Sequence, residues 1–113
     1  MAGFLFTQRL RIIVYRYTIR LMIKTFANKD TEALFHGHRV KQYVNFESPA
    51  RRKLEYLDAA SALDDLRVPP GNRLEALKGD RAGQHSIRVN DQFRVCFTWS
   101  DGHAYGVEIV DYH

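Results

Sequence analysis

The second half of the chain alternates apolar and polar residues with the period of two that a half-buried β-strand shows. Residues 86–89 and 93–99 follow this alternation, and residues 104–110 form a third run rich in β-prone side chains. The Asp-Gly pair at 101–102, between the last two runs, is a signal for a tight hairpin. The apolar face of the middle run consists of Phe93, Val95, Phe97 and Trp99. The pattern predicts an antiparallel meander whose aromatic face is covered by helices.

The first half of the chain carries the helical signals. Residues 23–26 indicate a short strand, and residues 31–35 indicate one or two helical turns after a cap at residues 28–30. Ser48-Pro49 predicts the start of a longer helix, because serine caps helices and proline suits their first turn. An apolar stripe then continues to residue 66, and a second short helix is predicted before Pro69-Pro70-Gly71 ends the helical part.

The predicted fold class is therefore α+β, with a short N-terminal strand and two to three helices packed on one face of an antiparallel sheet. Residues 22–113 are expected to form one domain. Residues 1–21 hold four arginines and no acid, and these arginines break every apolar run well short of the ~20 residues that a membrane span needs. We expect residues 1–21 to be an N-terminal extension, either an over-called start upstream of Met22 or a loosely packed segment, with no membrane partner.

Charge and cysteine usage restrict the function further. The formal net charge is +4, and the four arginines of residues 1–21 account for all of it, so the remainder of the chain is formally neutral. Any surface that binds nucleic acid must therefore come from local clusters of cations. The single cysteine, Cys96, excludes an internal disulfide and a zinc site built on paired cysteines. A reducing, cytoplasmic setting follows, and the sequence calls for no cofactor or metal.

Two clusters of cations are candidates for contact with phosphates. The first, Arg51-Arg52-Lys53, falls in the first turn of the longer predicted helix, where positive charge opposes the helix dipole. This cluster is either a solvated surface eased by neighbouring acids or a patch that contacts phosphate. The second cluster comprises Arg88 and Arg94 on the polar face of the sheet, with Lys78 at its rim. We expect that polar face to be exposed.

The last three residues, Asp111-Tyr112-His113, join a carboxylic acid, a phenol and an imidazole at the end of a predicted strand. They are either the polar end of an ordinary edge strand or groups that move protons at a site. Together with nearby cations they suit cleavage of an RNA phosphodiester, which needs a base for the 2′-hydroxyl, cations for the phosphorane and an acid for the 5′-oxygen. Strict alternation places Tyr112 on the opposite face from Asp111 and His113, so a shared site requires the strand to bend.

Three motifs in order resemble one known family. Residues 77–81 (Leu-Lys-Gly-Asp-Arg), 86–94 (Ser-Ile-Arg-Val-Asn-Asp-Gln-Phe-Arg) and 107–113 (Val-Glu-Ile-Val-Asp-Tyr-His) are similar to the HigB toxins of the RelE/ParE superfamily, also called plasmid maintenance system killer proteins. The resemblance covers residues 22–113 and implies a RelE/ParE-like fold. It also implies a ribosome-dependent mRNA endonuclease that inhibits translation, with the 70S ribosome and mRNA as partners. A HigA-type helix-turn-helix antitoxin is the further partner implied.

The resemblance also implies roles for single residues. By motif position, Lys78 and Arg94 bind the scissile phosphate, and Asp111 and His113 act as base and acid in an order left open. Tyr112 positions the nucleotide or helps to hold the phosphate. Further contacts with RNA are expected from Arg51, Arg52, Lys53, Arg81 and Arg88.

Glu75 departs from part of the family, in which some members carry histidine three residues before the motif lysine. A glutamate is not a cation at neutral pH, so the proton relay either differs here or depends more on His113. Two other functions stay open from the sequence. One is a non-catalytic binding toxin such as the gyrase inhibitors of the ParE type, and the other is a degenerate toxin that only binds an antitoxin.

Overall fold

The alternating runs of the second half form the meander that their pattern predicts. In the computed structural model, which describes residues 22–112, four strands follow one another in the order β1-β2-β3-β4, and each neighbouring pair is antiparallel. Asp101 and Gly102 adopt φ angles of 52° and 80° in the β3–β4 turn, as a tight hairpin requires. The strands are β1 Glu75–Ala76, β2 His85–Arg88, β3 Phe93–Ser100 and β4 His103–Asp111.

The predicted N-terminal strand lies beside β4 and runs parallel to it. Two isolated bridges, Ile23 to Ala104 and Phe26 to Val107, join the segment to the sheet. The segment is also fastened to a helix, because the Asp58 Oδ1 atom accepts hydrogen bonds of 3.1 Å from the backbone N–H groups of Met22 and Ile23. The prediction of a short N-terminal strand is therefore confirmed in position. The expectations for residues 1–21 lie outside the described residues.

Two α-helices are present among residues 22–112, α1 at Lys29–Phe35 and α2 at Glu47–Ala59. The Asn28 side chain caps α1 by accepting a hydrogen bond from the Thr31 N–H, as the sequence predicts. The predicted start of α2, with Ser48 as the cap and Pro49 as the first helical residue, is wrong by two residues, and the serine cap is absent. The chain is already helical before α2, in a 3-10 helix at Lys41–Phe46, so Ser48 lies inside the first turn. Further 3-10 helices span Leu63–Arg67, Pro70–Asn72 and Gly79–Arg81.

The core lies between α2 and the aromatic face of the sheet. Val95 and Phe97 of β3 are completely buried, together with Leu54 and Leu57 of α2. The Thr31 hydroxyl, also fully buried, accepts a hydrogen bond of 3.1 Å from the backbone N–H of Ile109 and so ties α1 to β4. Among residues 22–112, no helix is both long enough and apolar enough to cross a bilayer.

A β-bulge in β4 changes which residues face the core. Cys96 is opposite Glu108 while Thr98 is opposite Tyr105, so two residues of β4 lie opposite Phe97 alone. Gly106, at φ 60°, supplies the left-handed backbone of this bulge. Beyond it the alternation is inverted, and Val107 and Ile109 are buried in the core.

The expectation that the polar face of the sheet is exposed is wrong for its centre. The exposed fraction is 0% for Ser86, 8% for Arg94 and 0% for Cys96. The segment that ends at Arg73 and the side chain of Tyr112 fold over these residues and exclude water. The alternation within the strands correctly identified the residues of this face, but it carries no information about the segment that covers them.

Replacement of Asp58 by alanine tests the fastening of the N-terminal segment. The loss of a charged acceptor for two backbone N–H groups is expected to lower the free energy of unfolding by about 2 kcal/mol. Urea unfolding measures this, with Glu55→Gln, an exposed change on the same helix, as the control. An Asp58→Ala protein with the wild-type midpoint would contradict the assignment.

Candidate active site

A groove of about 610 Å³ opens on the sheet face that carries Arg94. Its walls come from three parts of the chain: the segment between the helices and β1, the β2–β3 turn and the end of β4. The side chains and backbone that line it belong to Gly71, Arg73, Glu75, Arg88, Asn90, Asp91, Arg94 and Tyr112. Three arginines therefore share one concave surface, which suits an anionic ligand.

Arg94 lies at the floor of this groove and is fixed by neutral oxygen atoms. Its Nε donates to the Ser86 hydroxyl at 2.6 Å, and its Nη2 donates to the carbonyl of Arg73 at 2.5 Å and that of Ser86 at 3.4 Å. The Glu75 carboxylate is 3.9 Å from Nη2, but that side chain is 55% exposed. A surface pair of this kind contributes little. The guanidinium is thus held rigidly while its charge is only weakly compensated.

The carbonyl of Arg73 reaches Arg94 because the preceding loop is fixed from below. Asn72 is completely buried, and its Nδ2 donates to the Leu66 carbonyl at 3.1 Å. The Asn72 Oδ1 accepts a hydrogen bond of 2.6 Å from Lys53 Nζ. Arg73 itself has a φ of 45°, a left-handed conformation that is costly for a residue with a β-carbon. In this backbone conformation the Arg73 carbonyl points towards the Arg94 guanidinium.

Tyr112 covers the other side of Arg94. Its ring centroid is 6.0 Å from Arg94 Cζ, within the range of a cation–π contact. Cys96 is completely buried on the same face of the sheet, and burial raises the pKa of its thiol. Burial and the neighbouring Cys96 also raise the pKa of Tyr112, against the opposite effect of Arg81 and Arg94. The phenol is therefore protonated at neutral pH and acts as a hydrogen-bond donor.

The structure brings together only part of the predicted catalytic set. Arg94 and Tyr112 share the groove, whereas the exposed Lys78 does not line it. Asp111 is paired with Phe93 in the sheet, and its Oδ2 accepts a hydrogen bond of 3.0 Å from Gln92 Nε2. His113 lies outside the described residues. The inversion at the bulge explains why Tyr112, and not Asp111, faces Arg94.

Two of the arginines predicted to contact RNA are engaged within the protein. Arg51 donates from Nε to the Leu34 carbonyl at 3.0 Å and from Nη2 to the His38 carbonyl at 3.3 Å, which joins α2 to the end of α1. Arg81 forms an ion pair of 3.1 Å with Glu108, and this hydrogen bond raises the pKa of Arg81. Both therefore have structural roles, and their contact with RNA stays a prediction.

The remaining cations differ in their surroundings. Arg52 is exposed on α2. Lys53 is half-buried beside Asn72, and Arg88 lines the groove, where it is paired with Asp91.

The sequence did not identify Ser86 and Arg73 as supports of Arg94. A hydroxyl two residues before Arg88 on the same predicted face was the only available signal for Ser86, whereas the role of Arg73 depends on its backbone.

Ser86→Ala tests the support of Arg94. The buried Nε would lose its acceptor, so we expect the free energy of unfolding to fall by about 1–3 kcal/mol. Denaturant unfolding measures the loss, and Ser100→Ala on the exposed end of β3 serves as the control. Equal stability of Ser86→Ala and wild type would show that the hydrogen bond contributes nothing.

The thiol of Cys96 reports on the position of Tyr112. Because the thiol is buried and its pKa is raised, alkylation of the native protein near pH 8 is expected to be slow. Tyr112→Ala removes the ring that helps to cover this face and should increase the labelling rate, whereas Tyr112→Phe keeps the ring and should change the rate much less. Rapid labelling of wild type, or an unchanged rate in Tyr112→Ala, would contradict this geometry.

Comparison with known proteins agrees with this fold and with the motifs. Residues 24–113 match the family described as HigB-like toxin, a RelE-like toxin of type II toxin-antitoxin system HigB. The chain is 57% identical over 85 residues to Toxin HigB-1 of Vibrio cholerae serotype O1, a match that covers 74% of this chain and 90% of that protein. It is 33% identical over 98 residues to Endoribonuclease HigB of Proteus vulgaris, covering 81% of this chain and 100% of that protein.

Solved structures support the fold separately. The YoeB-YefM toxin-antitoxin complex of Staphylococcus aureus matches with a TM-score of 0.52 and 23% identity, over 84% of this chain and 99% of that chain. The YoeB dimer of the same organism matches with a TM-score of 0.50, the same identity and the same coverage. At this identity the likeness shows the fold alone, and it confirms the α+β, RelE-like prediction. The chain belongs to the HigB-like family of RelE-like toxins from type II toxin–antitoxin systems.

Proposed function

We propose that this toxin is an endoribonuclease that cuts mRNA in the decoding site of the 70S ribosome and thereby stops translation. The 2′-hydroxyl of the RNA attacks the adjacent phosphate, the bond from phosphorus to the 5′-oxygen breaks, and the products are a 2′,3′-cyclic phosphate and a 5′-hydroxyl, so no metal-bound water is required. The observation that carries the proposal is Arg94, a guanidinium held rigidly by three oxygen acceptors at the floor of a groove. Such a preorganised cation stabilises charge as it develops, with little reorganisation.

Arg94 is suited to the phosphorane in particular. Among residues 22–112, its Nε and Nη2 have protein partners, which leaves the Nη1 amino group to donate to a phosphate oxygen. Arg94 is only 8% exposed, so water screens the charge of its guanidinium poorly. The cation therefore acts more strongly on the additional negative charge of the transition state than it would on an open surface.

Tyr112 supplies a neutral donor beside that cation. Because its pKa is raised, the phenol keeps its proton through the neutral range and donates it in a hydrogen bond to the phosphate. We assign the proton transfers to His113 and Asp111, of which one takes the proton of the 2′-hydroxyl and the other protonates the leaving 5′-oxygen. Lys78, exposed at the turn that follows β1, is assigned a second contact with the scissile phosphate from outside the groove.

The partners and setting follow from the family. A HigA-type helix-turn-helix antitoxin is the proposed inhibitor, and the cytoplasm is the proposed location because the ribosome is the proposed target. The neighbouring solved structure described as a toxin-antitoxin complex pairs YoeB with YefM, so a protein of this fold forms such a complex. Because the domain is formally neutral, we expect it to recognise RNA through local clusters of cations, such as those that line the groove, and not through its net charge.

The decisive experiment maps mRNA 5′ ends after induced expression. Wild type is expected to produce cuts within coding frames, and His113→Ala and Arg94→Gln should each lower cleavage by about 10²-fold or more. Circular dichroism checks that each variant is folded. Arg67→Gln, which removes an exposed arginine that does not line the groove, serves as the control. Wild-type growth arrest without new 5′ ends, together with inhibition of DNA supercoiling, would refute the nuclease and favour a gyrase inhibitor.

A further inference from the structure

The end of the groove near the β2–β3 turn, here called its outer end, carries more positive charge than the stability of the fold explains. Arg88 and Arg94 are direct cross-strand partners in β2 and β3, and both line the groove. Like charges directly opposite one another in a sheet are destabilising. Arg94 is used at the floor of the groove, whereas Arg88 is a further cation nearer the β2–β3 turn, beside Asn90 and Asp91.

Arg73 adds a third cation at a position that suits arginine poorly. Its φ of 45° would favour glycine or asparagine, because the side chain crowds the backbone there. The support of Arg94 uses only the Arg73 carbonyl, which any residue provides. The exposed Arg73 side chain, which lines the groove, is therefore not explained by the contact with Arg94. Strain at a groove-lining residue is a reason to look for a ligand.

Lys53 is hydrogen-bonded to the residue that directly precedes Arg73. Its Nζ is held at 2.6 Å by the buried Asn72, so the side chain is directed towards the loop that forms the groove wall. Burial lowers the pKa of Lys53, and the positive charges of Arg52 and Arg88 lower it further. Because Asn72 directly precedes Arg73, the Lys53 ammonium group is held beside the loop that forms this wall of the groove.

We propose that the outer end of the groove, between Arg73 and Arg88, binds a second RNA phosphate next to the scissile one, with Lys53 held at the loop that carries Arg73. This inference rests on the proposed ribonuclease function and deepens it. The groove volume of about 610 Å³ exceeds what one phosphate needs and is in the range of pockets that hold a small organic ligand. The RNA strand crosses the groove with one phosphate at Arg94 and its neighbour at the outer end.

Asp91 occupies the outer end when RNA is absent. Its carboxylate pairs with Arg88, but the Asp91 side chain is 96% exposed. Ion pairs at such exposure contribute little, so a phosphate can take the place of the carboxylate. Asp91 therefore competes with the RNA, and removal of its charge should have the opposite effect to removal of Arg88.

Two short probes without a reactive 2′-hydroxyl separate the two phosphate sites. They are a 2′-O-methyl dinucleoside monophosphate and a 2′-O-methyl trinucleoside diphosphate, titrated into the full chain by calorimetry at several salt concentrations. Wild type should bind the longer probe more tightly. Arg88→Gln should weaken binding of the longer probe about tenfold and that of the shorter probe much less. In the Arg88→Gln variant, the slope of log K against log salt concentration for the longer probe should be smaller in magnitude than in wild type by about 0.7, because one phosphate contact is lost.

Further variants guard against indirect effects. Asp91→Asn should tighten binding of the longer probe. Arg73→Gly removes the cation and relieves the left-handed backbone, so it should weaken the longer probe without lowering stability. Arg67 and Asp64 form a similar exposed ion pair, three residues apart, that does not line the groove. The matched controls Arg67→Gln and Asp64→Asn should leave both probes unaffected.

The outcomes distinguish this subsite from the function on which it rests. The subsite is refuted if wild type does not bind the longer probe more tightly, or if the Arg88 and Asp91 variants change both probes equally. If wild type still cuts mRNA in that case, the ribonuclease function stands without the subsite. Binding as expected, with no mRNA cut by wild type, would refute the nuclease instead and leave a non-catalytic RNA-binding groove.

Discussion

The burial of one guanidinium is the constraint on which the rest of the site depends. Arg94 is taken out of water in the middle of a sheet, where an unpaired cation would be very costly. The fold compensates with hydrogen bonds that Arg94 donates to neutral oxygens of Ser86 and Arg73, and not with a buried carboxylate. Compensation of this kind fixes the group without cancelling its charge. It also requires a particular loop path between the helices and β1, which is why Asn72 and Lys53 are tied together beneath that loop.

The β-bulge at Gly106 decides which chemistry meets this cation. If β4 continued its first register, the alternation would turn Tyr112 towards the core and Asp111 towards the groove. The extra residue inverts that order, so the phenol lies over Arg94 and the carboxylate lies at the edge beside Gln92. A local backbone irregularity more than five residues away therefore sets the identity of the donor at the site.

The structure also divides the cations by use. Arg51 joins two helices and Arg81 is neutralised by Glu108, so their charge stabilises the fold. Arg73, Arg88 and Arg94 share the groove, where two exposed acids, Glu75 and Asp91, are their nearby counter-charges. Exposed acids are exchangeable partners, because water already screens them. A formally neutral domain can in this way present a local site for an anion.

The sequence by itself determined the strand order, the α1 cap at Asn28, the β3–β4 turn at Asp101-Gly102 and the family, because these depend on neighbouring residues and on short motifs. Through the resemblance it also proposed Arg94 and Tyr112 as site residues, and the structure places both in one groove. Only the tertiary structure decided that the polar face is covered at its centre, that Arg73 supports Arg94, and that Lys78 and Asp111 do not line the groove with it. These features depend on a loop path and a register shift, which arise from packing between distant segments and leave no periodic signal in the chain.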